Sequence, residues 1–136
     1  MSKTTTKKTS TKKILSFEDA CEALGLNPAN LPDVSLLPEK HRRAIEAHYK
    51  LVIITQSLNE GWEPNWNDPD QYKYYPWFEI DADEKRPGGF GFSDSDYGSW
   101  YSCSGVGSRL AFRTRELALY AGKQFQDLYK EYFLIA

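Results

Sequence analysis

"QYKYYPWFEI", residues 71–80, alternates two sets of side chains along an extended chain: Tyr72, Tyr74, Phe78 and Ile80 on one side, Lys73, Tyr75, Trp77 and Glu79 on the other. A period of two predicts a β-strand whose first set faces a core. Pro76 has no N–H to give to a ladder, so the strand is expected at an edge or with a bulge. Two later stretches share the pattern. "GGFGFS" (88–93) offers Phe90 and Phe92 to one face while Gly89 and Gly91 leave the other bare, and "SRLAFR" (108–113) sets Leu110 and Phe112 against Arg109, Ala111 and Arg113. Three such strands joined by turn-rich loops predict an antiparallel meander.

Helical periodicity flanks these strands. In "SFEDACEALGL" (16–26), Ser16 is a candidate N-cap, Asp19 stands near the capping-box position, Phe17, Ala20, Cys21 and Leu24 recur at helical spacing, and Gly25 is the stop. The proline-rich "NPANLPDVSLLP" (27–38) is a connector. A second helix is expected to open at Pro38, to bury Ala44, Ala47, Leu51, Ile54 and Leu58, and to end at Gly61. From Thr114 as N-cap, the stripe Ala118, Ala121, Phe125, Leu128 and Tyr132 predicts one long C-terminal helix packed on the sheet. The expected fold is α+β in the order ααβββα, with the second sheet face either open or covered by the first two helices.

The 136 residues suit a single domain over 15–136, preceded by a basic arm over 1–14. Of the 17 basic residues, Lys3, Lys7, Lys8, Lys12 and Lys13 precede the first acid, leaving 12 against 19 acidic groups in the rest of the chain. An acidic body argues against a broad phosphate-binding surface, so only the arm suits nucleic acid. With one apolar side chain in residues 1–13, the arm is expected to be disordered on its own. No apolar run reaches the length of a membrane span, no secretory leader is evident, and Cys21 and Cys103 form no CxxC pair. These features predict a cytoplasmic protein without membrane attachment.

Two quoted stretches together carry a resemblance. "LNEGWEPNWNDPDQYKYYPWFE" and "VGSRLAFRTRELALYAGKQFQDLYKEYF" resemble a family of small proteins encoded by phages and mobile elements of Bacteroides-type gut bacteria, over roughly residues 16 to 135. The resemblance implies a mobile-element setting in a bacterial host cell. It assigns no activity, cofactor or site.

The chemistry-bearing motifs are sparse. "GGFGF" resembles the GFGF core of RNA-binding strands, but no basic residue immediately precedes it and "SDSD" follows, so Phe90 and Phe92 are read as core. "DADE" (81–84) and "DSDYGS" (94–99) lack the spacing of a calcium loop. His41 and His48, seven residues apart, do not make a zinc site. No nucleophile elbow surrounds Ser99, Ser102, Ser104 or Ser108. No catalytic residue, metal ligand or cofactor is therefore assigned. The aromatic fraction of 15% points instead to binding through Trp62, Trp66, Tyr75, Trp77, Trp100, Tyr101, Arg109 and Arg113, a mix of rings and arginines of the kind enriched in interface hot spots. The function expected is that of a non-catalytic accessory protein with a protein partner. The alternative is a nucleic-acid binder whose arm lysines contact phosphate while sheet aromatics stack on bases.

Overall fold

A computed structural model describes residues 13–80, 90–98 and 108–134. Its elements run α1 (Phe17–Leu24), α2 (Glu39–Asn59), β1 (Lys73–Ile80), β2 (Phe90–Gly98), a 3-10 turn (Ser108–Leu110), α3 (Arg115–Gln124) and α4 (Gln126–Phe133). The expected ends of α1 are as the sequence indicates. The Ser16 hydroxyl accepts from the Asp19 N–H at 3.1 Å, the Asp19 carboxylate accepts from the Leu15 N–H at 3.0 Å, and Gly25 stops the helix at φ 73°. Pro38 caps α2, and Glu60 (φ 50°) and Gly61 (φ 94°) turn the chain out of it.

The three-stranded meander is not formed. β1 and β2 make a two-stranded antiparallel ribbon, with the irregularity that Pro76 led one to expect falling one step later, between Trp77 and Phe78. The third stretch contributes one bridge, in which Tyr74 and Phe112 exchange both backbone bonds at 3.0 and 2.7 Å. The ladder cannot extend from there. Leu110, the next residue to pair on one side, closes the 3-10 turn, and Thr114 on the other caps α3 by accepting from the Leu117 N–H at 3.1 Å. The outward backbone groups of this short segment go to a side chain. Asn59, at the end of α2, donates Nδ2 to the Ala111 carbonyl at 2.9 Å and accepts the Arg113 N–H at Oδ1 at 3.0 Å.

The single long C-terminal helix is also corrected: it breaks at Phe125 (φ −114°, ψ 32°) into α3 and α4. The break re-aims the chain, because α3 packs on both strands whereas α4 packs mainly on α2. A straight rod could not reach both. α1 packs on α2, and neither of the first two helices is a main contact of the ribbon. One core joins these layers through Ile14, Phe17, Leu51, Ile54, Leu110, Phe112, Phe125 and Tyr129. Phe78 reaches it from β1 with its ring 4.9 Å from that of Tyr129. Ile14, expected at the end of the arm, is part of that core, and its carbonyl accepts from the Tyr120 hydroxyl.

The alternation in β1 is obeyed by Tyr74 and Phe78, both packed against the core, but not at the strand's start. Tyr72 is 53% exposed rather than inward, and Lys73, expected on the outer face, is 0% exposed. The side chains of Ile80, Phe90 and Phe92, expected in the core, lie outside the described residues, as does the loop containing "DADE".

Candidate functional site

The last turns of α2 present Val52, Thr55, Gln56 and Asn59 at steps of three and four, and so on one helix face. Gly61 then returns the chain across that face. Trp62 N–H bonds the Asn59 carbonyl at 3.1 Å, and two side-chain turns at Asn65 and Asp68 shape the loop, each accepting the N–H two residues on at 3.0 Å. Gln71 fastens the loop's middle by accepting the Asn65 N–H at 2.6 Å. Lys73 fastens its far end. The ammonium donates to the carbonyls of Asp68 (3.1 Å) and Gln71 (2.7 Å) and stands 5.0 Å from the centroid of the Trp66 ring. Its burial thus has a physical reason: the cation exchanges water for two carbonyls and a π-face.

Between this loop and α2 lies a cleft of about 280 Å³ lined among the described residues by Val52, Thr55, Gln56, Asn59, Trp62, Glu63, Pro64, Trp66, Arg109 and Ala111. Three residues singled out in the sequence, Trp62, Trp66 and Arg109, meet on its walls. Two of the lining groups are orphans: Thr55, 2% exposed, has no hydrogen-bond partner in the protein for Oγ1, and neither has the buried Nε1 of Trp66. A buried polar atom left in that condition costs about 1–3 kcal/mol. Arg109 is exposed and forms no ion pair with a carboxylate among the described residues, in contrast to Arg113, which pairs with Glu60 at 3.2 Å. Its charge is felt next door: burial first, and Arg109 second, push the His48 imidazole below its ordinary range. His48 is stacked on Tyr132 at 4.7 Å, and Arg109 is the cleft's only cation among the described residues.

The remaining expected site residues are not gathered here. Arg113 is turned to Glu60 and away from the cleft lining, and Tyr75 is half-buried on β1. Arg109, expected on a strand, belongs to a 3-10 turn instead. The Trp77 side chain, and Trp100 and Tyr101, lie outside the described residues. So do Lys3, Lys7, Lys8 and Lys12, while Lys13 is exposed with Nζ 5.5 Å from the Tyr120 ring centroid. Thr55, Gln56, Glu63 and Lys73 escaped the sequence reading. The only signal for Thr55 was a hydroxyl in the otherwise apolar run "LVIIT" on the core side of α2.

Among the described residues no group of three or more His, Cys, Asp or Glu side chains could hold a metal ion, and no helix is long and apolar enough to cross a membrane. Cys21 is buried, and burial, followed by the Glu18 charge, pushes its thiol up, which makes it a poor nucleophile. Cys103 lies outside the described residues. No protein-family model, curated protein or solved structure matches the chain.

Proposed function

We propose that this chain is a non-catalytic binding protein that engages a protein partner at the cleft between α2 and the tryptophan loop. The observation that carries this reading is the meeting of Trp62, Trp66 and Arg109 on one concave surface whose loop is held from below by Lys73. Tryptophan and arginine dominate interface energetics when they line a pre-formed pocket, because little ordering entropy remains to be lost on binding. At about 280 Å³ the cleft falls just below the range of pockets for whole small molecules or cofactors, and it suits a single protruding group of a larger partner. The mobile-element setting belongs to the same proposal and rests on the sequence resemblance. Work in the host cytoplasm is supported by a buried, unpaired Cys21.

Affinity isolation of the full chain and of Arg109→Ala from bacterial lysate, each with and without nuclease, tests the reading. A protein that survives nuclease on the wild-type chain and is lost from Arg109→Ala is the expected result. Retention that vanishes with nuclease and falls steeply with salt would replace it with nucleic-acid binding through the lysine arm.

A further inference from the structure

We infer that the surface where α2 begins is a self-association site, at which Leu36 of each of two copies enters a groove on the other. Of the seven large apolar side chains exposed among the described residues, five (Leu26, Leu31, Leu36, Leu37 and Ile45) fall within residues 26–45, the connector and the first turns of α2. Leu36 is 95% exposed, and a braced turn holds it there. The Leu37 N–H bonds the Val34 carbonyl at 3.0 Å, and the Asp33 carboxylate accepts the Ser35 N–H at 3.0 Å. The Arg42 guanidinium donates to the carbonyls of Ser35 (2.9 Å) and Leu37 (2.8 Å), the residues on either side of Leu36. A turn fixed in this way presents an apolar side chain to water with little ordering entropy left to lose on binding.

A groove lies beside that turn. It has a volume of about 800 Å³ between the start of α2 and the end of α4, with Pro38, Ala44 and Leu134 as its apolar wall and Arg42 itself in its lining. Arg42 thus fixes the leucine turn and the groove side by side on one surface. A two-fold axis between them places each Leu36 in the groove of the other copy, the self-complementary arrangement of an isologous dimer. The charges suit a second copy. Beyond Arg42, which is spent on the turn, the lining holds Lys40 and Arg43 against Glu39 and Glu131, and Arg43 reaches Glu131 at 3.4 Å within one chain. Two copies meet there with both signs on each side, whereas a strongly acidic or basic partner gains little from a nearly balanced rim. At 1.5 Å per residue, Lys40 in the groove and Gln56 in the tryptophan cleft stand roughly 24 Å apart along α2. Self-association therefore leaves the cleft free, and a dimer offers two clefts to a partner that is itself repeated.

Sedimentation equilibrium of the full chain over roughly 1–500 µM is the test, a range chosen because an interface below the standard size associates weakly. The mass is expected to rise from that of one chain towards that of two and no further, since an isologous contact closes on itself. Leu36→Asp is expected to weaken association by about tenfold or more. Its denaturation midpoint should stay where it is, because a side chain 95% exposed supports nothing within the fold. NMR reads the groove side: on dilution the amide signals of Ala44 and Leu134 should move together with that of Leu36. A single-chain mass throughout, growth beyond two chains, a dimer indifferent to Leu36→Asp, or dilution shifts that spare Ala44 and Leu134 would overturn the inference. So would a monomeric chain whose lysate partner is lost on Leu36→Asp, which would assign the surface to a different protein. The dependence of partner retention on Arg109 is measured separately, so either reading can fail while the other stands.

Discussion

At the scale of single residues, His48 reports on the cleft without lining it. Its imidazole is held below the usual 6.5, chiefly by burial and secondarily by Arg109. The native state therefore binds fewer protons at this site than the unfolded chain. Stability at this site is intact above pH 6.5, falls as pH descends through that value, and has lost its full contribution below the lower, folded pKa. Arg109→Ala should raise the His48 titration midpoint without restoring 6.5, since the larger cause remains. With only two histidines in the chain, ring-proton NMR resolves this directly. No movement on Arg109→Ala would show that the two charges do not interact. Lys73 shows why such sites hide from pattern reading: alternation assigns side chains to faces, but a long aliphatic stem can carry its charge back under a neighbouring loop.

At the scale of elements, Asn59 ends α2 and at the same time holds the segment that carries Arg109 and Arg113. Asn59→Ala strips a partner from two backbone groups, each worth about 1–3 kcal/mol when left unmet, so a loss of about 2–4 kcal/mol is expected in chemical denaturation. Asn59→Asp keeps an acceptor for the Arg113 N–H and loses the donor to Ala111, and an intermediate loss would apportion the pair. A loss below about 0.5 kcal/mol in Asn59→Ala would mean that solvent replaces both bonds. What was legible here was local. Ser16, Gly25 and Thr114 mark helix ends by chemistry that acts within one turn, and all three do so in the structure. The break at Phe125 was not legible, because Ala118, Ala121, Phe125 and Leu128 keep helical spacing straight through it. The third strand failed for the converse reason: "SRLAFR" has the right alternation, yet the residues needed to lengthen its ladder are taken by a turn and a cap.

At the scale of the whole molecule, the N-terminal segment is joined to the far end of the sequence. Ile14 is buried in the common core, and the Leu15 carbonyl accepts from Gln124 Nε2 at 3.1 Å. Ile14→Ala should therefore cost about 2–5 kcal/mol, read as a lower denaturation midpoint at unchanged slope. A change under about 0.5 kcal/mol would assign Ile14 to the arm in energetic terms. Composition put Ile14 in the basic arm, because the lysines before it outweigh one apolar side chain, whereas the structure buries it. Nor could composition find the cleft, whose walls come from α2, the loop after it and a turn some fifty residues later. The same Asn59 contact has a consequence for life at high concentration. A short extended segment with bare outward N–H and C=O groups invites the matching segment of another copy to add to it, the first step of strand exchange and fibre growth. Here the amide of Asn59 occupies those groups, so that the outward side of residues 111–113 is closed to recruitment for as long as α2 stays folded.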